Sequence, residues 1–250
     1  MTSSTSDATE KVRVADAFPE LVEHLDPEQE RLARRHLVAT LWQVDPGIWR
    51  PRREIQRDPG HLGLLVLDGL LTRDVVMSQR LATELVGRGE ILRPADHDGE
   101  DAPVPFDVSW QVLEPVRIAI LDREFARVAG HWPDVIEALV RAAVCRAQSL
   151  AVTLAVSHLR RIDARLLVTL WYLADRWGKV RPDGVLVPLN LTHQTLGRLI
   201  GAQRPSVTTA LRQLTDEGEV ARNHDGTWLL RGSPPVERLR ARARTRTTID

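Results

Sequence analysis

The hydrophobic pattern between Leu37 and Asp122 is one of short apolar runs. Turn residues interrupt these runs, among them Asp45-Pro46-Gly47, Asp68-Gly69 and Glu114-Pro115. Strand-length runs separated by Gly, Pro and Asp are typical of an antiparallel sheet that forms a small sandwich or barrel. The strands predicted in this way cover residues 37–42, 62–67, 70–77, 80–86, 108–113 and 116–121.

Helical patterns flank this region on both sides. The segment from Phe18 to His36 predicts short helices, because Asp26-Pro27-Glu28 combines a capping residue with Pro and an acid in the first turn. The residues before it, 1–17, are expected to be a loose tail. From Pro133 to about Arg161 the chain lacks Gly and Pro after its first residue, which predicts one long helix.

Apolar and small residues recur along this long helix at alternating spacings of three and four. Such a pattern is typical of a coiled coil, although the same stripe also fits a helix that packs on the chain's own sheet. The helix is longer than a small barrel covers, which favours a seam between two chains. The predicted dimerisation residues are Val140, Ala143, Ala147, Leu150, Leu154 and Ser157.

The C-terminal region reads as a winged helix-turn-helix, which is a pair of helices joined by a tight turn and followed by a hairpin. Gly201 is the predicted turn residue, and Thr192 is the predicted N-cap of the first of the two helices. Asp225-Gly226 is a strong hairpin-turn signal. The predicted elements are a helix at 164–177, a strand at 185–189, helices at 192–200 and 204–217, and hairpin strands at 220–223 and 227–230.

This arrangement predicts which side chains meet DNA. An apolar stripe on the second helix leaves its arginines and hydroxyls facing outward, where Arg suits guanine and hydroxyls suit phosphates. The wing adds Arg222 and His224. The complete set of predicted DNA-binding residues on the two helices is Thr192, His193, Gln194, Arg204, Pro205, Ser206, Thr208, Thr209 and Arg212.

The net charge of the chain is zero, but charge is distributed unevenly along the sequence. The 34 basic and 34 acidic residues cancel, but residues 1–159 are acidic in excess and residues 160–250 are basic in excess. A basic C-terminal part suggests a polyanionic partner, although a solvated basic face remains the alternative. The last residues, 233–250, hold five arginines at every second position from Arg238 to Arg246 and are expected to be a flexible basic tail.

The sequence gives little indication of redox, metal-binding or catalytic sites. A single cysteine, Cys145, excludes an intrachain disulfide framework and a Cys-rich metal site, and we expect it to be packed rather than redox-active. The acidic loop around His97 fits a solvated turn better than a metal site, and the seven tryptophans are expected in core and strand packing. Since no catalytic motif is present, we expect no enzyme, no metal and no cofactor. Arg141 and Arg146 interrupt the most apolar stretch, so we expect a cytoplasmic protein without a membrane span.

The sequence resembles the cyclic-AMP receptor protein (Crp/Fnr) family of bacterial transcription regulators. The resemblance rests on Leu191–Leu214 (LTHQTLGRLIGAQRPSVTTALRQL), on the preceding helix, and on Gly63–Leu71 (GLLVLDGLL), which is similar to the family's β-roll. Gly89-Glu90 resembles the pair that opens the family's phosphate-binding cassette, which makes these two residues the candidate effector pocket. The resemblance implies an α+β fold with a β-roll, a long dimerisation helix and a winged helix.

Two departures from the family pattern matter. Pro205 follows Arg204 where the family often has Glu, and Thr209 stands where it often has Arg, so the resemblance implies a different operator. The cassette also lacks the Arg that holds a cyclic phosphate, because no Arg lies between Arg93 and Arg117. The cassette is therefore degenerate, and control by cAMP in the usual way is not expected.

Together these patterns predict a homodimeric regulator that binds double-stranded DNA at a pseudo-palindromic operator. The alternative is a sensor that binds DNA only when an unidentified small molecule occupies the β-roll. RNA polymerase and a small-molecule effector are further candidate partners. The expected organisation is a tail at 1–17, a β-roll at 18–132, a dimerisation helix at 133–161, a winged helix at 162–232 and a basic tail at 233–250.

Overall fold

The computed structural model describes residues 10–51, 60–78, 80–94 and 104–235. The chain divides into two compact units, residues 1–150 and 151–250. The candidate metal loop around His97 and the basic residues of the predicted C-terminal tail lie outside the described ranges.

The first unit contains a sheet of seven described strands with the order β1-β2-β7-β4-β5, in which β3 also pairs with β7 and β6 with β4. Every pairing is antiparallel, as the strand and turn pattern predicts. The strands are β1 (Lys11–Arg13), β2 (Val38–Val44), β3 (Gly47–Trp49), β4 (Gly63–Met77), β5 (Arg80–Gly87), β6 (Ile91–Leu92) and β7 (Asp107–Leu121).

The helices of the first unit lie between β1 and β2 and after β7. The predicted helix start at Asp26 is confirmed, because its carboxylate accepts hydrogen bonds from the backbone N–H groups of Glu28 and Gln29. The helices are α1 (Val14–Ala17), a single 3-10 turn (Pro19–Leu21), α2 (Pro27–His36), α3 (Arg123–Ala129) and α4 (Pro133–Ser157), whose last residues belong to the second unit.

Two separate cores stabilise the first unit. One packs the helices against a sheet face and includes Leu65, Phe125 and Val135. The other is built wholly from strand residues, among them Trp49 and Trp110, whose rings meet edge to face at 5.8 Å. The sheet therefore buries apolar side chains on both of its faces, which explains the nearly continuous apolar run at the start of β4.

The predicted turns at Asp68-Gly69 and Glu114-Pro115 are wrong. Both lie inside the single long strands β4 and β7, where the register between the two strands shifts. Gly69 has φ of +90°, and a Cβ atom there would lie 2.1 Å from the carbonyl oxygen of Pro115. Because Pro115 has no N–H to donate to the ladder, the irregularity is absorbed as a bulge and both strands continue.

The expectation of a loose tail over residues 1–17 is wrong for its last residues. Lys11–Arg13 pairs with Val38–Thr40 of β2, and Val14 and Ala15 are completely buried. Arg34 of α2 donates to the carbonyl oxygen of Ala15 at 2.9 Å. Burial of Val14 and Ala15 and the pairing of β1 with β2 stabilise this segment. The segment is too short to show a periodic hydrophobic pattern in the sequence.

The second unit begins within α4, which ends at Ser157 and not near Arg161 as predicted. Arg161 has an extended backbone, and its side chain pairs with Asp163 in the first turn of the next helix. The remaining elements follow the predicted order, except that the strand β8 was not predicted. They are α5 (Ile162–Trp177), β8 (Lys179–Arg181), β9 (Gly184–Val187), α6 (His193–Ile200), α7 (Arg204–Asp216), β10 (Val220–Arg222) and β11 (Trp228–Leu230), with the four strands in the order β10-β11-β9-β8.

Candidate nucleic-acid interface

Helices α6 and α7 form the predicted helix-turn-helix. The side chain of Thr192 accepts a hydrogen bond from the Thr195 N–H at 3.1 Å and so caps α6. Gly201 ends α6 with φ of +65°, the left-handed conformation that glycine adopts without a steric penalty. Three residues later α7 begins, with Pro205 in its first turn, where a missing N–H costs little. Local sequence therefore sets both ends of this motif.

Close packing fixes the angle between the two helices. Gly197 has no space for a side chain, since a Cβ atom there would lie 2.6 Å from the carbonyl oxygen of Ala202. Arg165 of α5 donates to the carbonyl oxygen of Ile200 at 2.9 Å and thereby satisfies one of the last carbonyls of α6. The buried residues at the interface are Leu196, Gly197 and Ile200 of α6 and Val207, Ala210, Leu211 and Leu214 of α7.

The predicted outer face of α7 is exposed. Arg204, Pro205, Thr208, Thr209 and Arg212 face solvent, and Ser206 is half-buried. The two threonine hydroxyls point back along the helix, because Thr208 donates to the carbonyl oxygen of Arg204 at 3.0 Å and Thr209 to that of Pro205 at 3.2 Å. Sequence alone does not reveal that both hydroxyl hydrogens already have acceptors within the helix.

A shallow cavity of about 420 Å³ joins the start of α6, the start of α7 and the wing. Its lining residues are Thr192, His193, Gln194, Arg204 and Arg222. All five are among the predicted DNA-binding residues, and they come from three separate stretches of sequence. The lining holds two guanidinium groups and no carboxylate, so the cavity attracts an anion.

His193 lines this cavity and is half-buried. Its Nδ1 atom is 3.0 Å from Oγ1 of Thr208. Since the one hydroxyl hydrogen of Thr208 is donated to the carbonyl oxygen of Arg204, Nδ1–H is the donor in the contact with His193. Burial lowers the pKa of His193, and the neighbouring charges of Arg222 and Arg204 lower it further. The ring is therefore neutral at pH 7, with Nε2 as an acceptor.

Trp228 packs against two residues that line the cavity, His193 and Arg222. This role was not predicted from the sequence. The Trp228 ring is buried, and its centroid lies 6.4 Å from that of the His193 ring. The guanidinium of Arg222 lies over the indole, 5.3 Å from the ring centroid. The wing turn itself is held by Asp225, which accepts from the Thr227 N–H at 3.0 Å. His224 is exposed at this turn but does not line the cavity. The register of the hairpin pairs Arg222 with Trp228, so the predicted turn at Asp225-Gly226 is the sequence signal that could have revealed this contact.

The six predicted dimerisation residues are all exposed. Val140 and Leu154 are 56% and 63% exposed, whereas Val135 and Leu139 at the beginning of α4 are buried in the core of the first unit. The start of α4 thus packs on its own unit, whereas the predicted stripe is exposed within the chain. By length and composition alone, α4 is also the one helix among the described residues long and apolar enough to cross a membrane.

Gly89 and Glu90, the candidate effector residues, lie in a turn of the first unit. Glu90 is buried, and its Oε2 atom accepts from the Gly87 N–H at 2.7 Å, which stabilises the turn. A Cβ atom on Gly89 would lie 3.1 Å from the ring of Phe18. These contacts give both residues a structural role in closing the turn between β5 and β6.

A larger cavity of about 520 Å³ lies elsewhere in the first unit, between the sheet and α4, and neither Gly89 nor Glu90 lines it. Its lining is mostly apolar, with three arginines. Arg146 donates to both carboxylate oxygens of Glu84, at 2.7 and 2.9 Å, and Arg73 lies 5.8 Å from the ring centroid of Trp110. Four of the predicted dimerisation residues, namely Val140, Ala143, Ala147 and Leu150, line the same cavity.

Among the described residues, no group of three or more His, Cys, Asp or Glu side chains is placed to hold a metal ion. Cys145 is exposed on α4, and not packed as expected.

Comparisons with known proteins agree with this geometry. Residues 164–231 match the family model of the Crp-like helix-turn-helix domain. A CRP-like cAMP-activated global transcriptional regulator from Mycobacterium tuberculosis is 30% identical over 132 residues, which are 51% of this chain and 59% of that protein. The match thus spans only about three-fifths of the length of this curated relative.

Solved structures of several regulators share the fold. A CooA mutant from Carboxydothermus hydrogenoformans matches with a TM-score of 0.60 and 17% identity over 80% of this chain and 86% of that one. FixK2 from Bradyrhizobium japonicum matches with a TM-score of 0.58 and 15% identity over 80% and 96%. TTHA1359, a CRP/FNR family regulator from Thermus thermophilus, matches with a TM-score of 0.54 and 18% identity over 80% and 97%. At these identities the likeness concerns the fold.

Proposed function

From its Crp-like helix-turn-helix domain and its confirmed resemblance to the CRP/FNR transcription regulators, we infer that this chain binds a specific operator in double-stranded DNA. The observation that carries the proposal is the cavity lined by Thr192, His193, Gln194, Arg204 and Arg222. It gathers two cations, namely Arg204 at the start of α7 and Arg222 on the wing, beside the start of α6. A DNA-binding surface of this type needs cations that hold the backbone and an exposed helix that reaches the bases.

The predicted residues divide into two roles. Thr192 is the exposed N-cap of α6, Gln194 is exposed in its first turn, and Arg222 lies on the wing, so these three are proposed to contact phosphates. Arg204 is exposed in the first turn of α7 and is proposed to read a guanine by two hydrogen bonds to its major-groove edge. Ser206 and Arg212 complete the contact surface, and His224 is proposed to touch the backbone from the wing turn.

We further propose that two chains bind together. The stripe on α4 is apolar and exposed along its whole length, and a second copy of the same stripe covers it in the manner of a coiled coil. Two-fold symmetry then presents two α7 helices to successive major grooves, about one helical turn (~34 Å) apart. A pseudo-palindromic site follows from this symmetry. The proposed setting is the cytoplasm, and RNA polymerase is the proposed further partner, because a regulator on DNA acts through transcription.

The proposal is tested by selecting genomic fragments with the purified chain, without added ligand, and sequencing them. We expect enrichment of one two-fold symmetric site. Arg204→Ala should weaken binding by about 5- to 150-fold, equivalent to about 1–3 kcal/mol, and relax one base position in each half-site. Arg231→Ala is the matched control, since Arg231 is exposed in the same unit beyond the end of β11 away from the wing turn. Equal behaviour of the two variants contradicts the assignment of Arg204.

A second candidate function is regulation by a small molecule in the first unit. The cavity of about 520 Å³ favours it, because a largely apolar lining with a few charged groups is typical of ligand sites. Under this proposal the chain binds DNA only when the cavity is filled. The test is thermal stabilisation by individual metabolites, followed by DNA binding with and without the stabilising compound. Full operator affinity without any ligand contradicts it.

A further inference from the structure

We propose that Pro205 and Thr209 read thymine in the major groove by contact with its C5-methyl group, next to the base pair read by Arg204. This inference rests on the proposed function and names the base that the same helix selects. Major-groove contacts of this kind are sequence-specific, since among the four bases of DNA only thymine presents a methyl group there.

The hydrogen bonds of the two threonines determine which atoms remain for DNA. Thr209 donates its hydroxyl hydrogen to the carbonyl oxygen of Pro205 at 3.2 Å. Because the hydroxyl lies against the helix backbone, the exposed part of the Thr209 side chain is its methyl group. Thr208 differs, since its hydroxyl both donates to the carbonyl oxygen of Arg204 and accepts from His193. Neither hydroxyl has a hydrogen to donate to a base.

The positions along α7 place the apolar atoms together. Pro205 and Thr209 are four residues apart, so they are neighbours on one face of the helix. Both are exposed, and both present carbon atoms on that face. Arg204 precedes Pro205 directly and therefore lies beside this pair at the same end of the helix. The result is a small apolar surface flanked by a guanidinium group.

The remaining chemistry of this helix argues against a cytosine at the same position. A cytosine is read through its N4 amino group, which requires an acceptor such as Asp or Glu. The first acidic residue of α7 is Asp216, its last residue, so the end of the helix that carries Arg204 has no carboxylate. A thymine methyl, in contrast, finds a matching apolar surface there.

The experiment uses the full-length chain and the duplex recovered by genomic selection. Each thymine is replaced in turn by uracil, which keeps the base pair and removes only the methyl group. We expect a loss of about fourfold in affinity for each buried methyl, hence about fifteenfold when both symmetry-related thymines are replaced. The loss should occur at one thymine position in each half-site.

Variants assign this loss to residues. Thr209→Ser keeps the hydroxyl and removes the methyl, so the variant should bind the thymine and uracil duplexes equally at that position. Thr209→Val keeps the methyl and should preserve the preference. Thr215→Ser is the matched control, because Thr215 is exposed on the same helix and its hydroxyl also donates four residues back, to the carbonyl oxygen of Leu211 at 2.9 Å. Pro205→Ala should reduce the preference.

Each outcome has a defined meaning. Sequence-specific binding that no uracil replacement weakens overturns this inference and leaves the proposed function standing. A uracil effect that Thr209→Ser and Pro205→Ala both leave unchanged also overturns it, since other residues then contact the methyl. Binding without any sequence preference means instead that the proposed function itself has failed, and the inference fails with it.

Discussion

Nδ1 of His193 and Oγ1 of Thr208 lie 3.0 Å apart and connect the two helices of the helix-turn-helix. The contact joins the first residue of α6 to the outer face of α7, and Thr208 in turn donates to the backbone of Arg204. The orientation of the imidazole ring is therefore fixed by a residue beside the predicted base-contacting arginine. Because this ring contacts both helices, its protonation links pH to the structure of the site.

Lowering the pH should destabilise the second unit through His193. Its pKa in the folded chain lies below the ordinary value because of burial and the charges of Arg222 and Arg204. As the pH falls through the ordinary histidine range, near about 6.5, the unfolded chain binds the proton first, so the free energy of unfolding decreases. His193→Asn keeps a donor near Nδ1 and should show a smaller decrease. Urea denaturation of both proteins at pH 7.5 and 5.5 measures the difference, and an identical pH dependence contradicts the prediction.

Loss of Arg165 should destabilise the turn between α6 and α7. Its guanidinium donates to the carbonyl oxygens of Ile200 and Gly201, at 2.9 and 3.4 Å. Arg165→Ala leaves these carbonyls without that donor and should cost about 1–3 kcal/mol. Urea denaturation gives the change in the free energy of unfolding. Arg160→Ala is the control, since Arg160 is exposed just before the same helix, and a comparable loss in both variants would argue against this role.

Replacement of Gly69 should be far more costly than replacement of Gly218. Both glycines have positive φ, of +90° and +74°, so alanine is strained at either position. At Gly218 no atom lies within 4 Å of the added Cβ, and the strain alone should cost about 1–2 kcal/mol. At Gly69 the Cβ also overlaps the backbone of Pro115, and we expect a loss of about 3 kcal/mol or more. Thermal unfolding of the two variants checks this order, and equal losses would mean that the bulge relaxes freely.

A charge on the exposed stripe of α4 should separate the two chains of the proposed dimer. Ala147 is exposed within one chain, so Ala147→Glu should leave the fold of the chain unchanged while it places two like charges across the seam. Sedimentation at several concentrations should show monomers, with circular dichroism unchanged. Gln148→Glu adds the same charge one residue away from the stripe. Dimers that persist in Ala147→Glu would place the seam elsewhere.

The parts of the fold predicted correctly are those that local sequence determines. Thr192 and Gly201 act through their own backbone conformation and nearest neighbours, so the ends of α6 were predictable. The bulge at Gly69 was not, because its cause is the carbonyl of Pro115 on another strand. The same reason applies to Lys11–Arg13, whose strand exists only because β2 lies beside it.

The candidate site shows the same division. The outward positions of Arg204 and Thr209 follow from helical periodicity, and the structure places them as the sequence predicts. Trp228 and Arg165 were missed, since their roles consist of contacts with residues far away along the chain, such as Arg222 over the indole ring. The direction of the threonine hydroxyls also required side-chain coordinates, because a solvent-facing threonine has several rotamers open to it.

The two arginines of α4 have a consequence for the fate of the newly made chain. Between Ala138 and Ser157 they are the only charged residues, and each is paired, Arg141 with Glu137 and Arg146 with Glu84. An arginine near the centre of a nascent hydrophobic segment costs about 2.5–3.5 kcal/mol when the segment partitions into a lipid bilayer during translation. If leucines replaced both, the ribosome would deliver a segment that the translocation machinery accepts as a membrane anchor. The same two side chains, of which Arg141 pairs within the helix and Arg146 pairs with Glu84 of β5, therefore also oppose insertion of the helix into lipid.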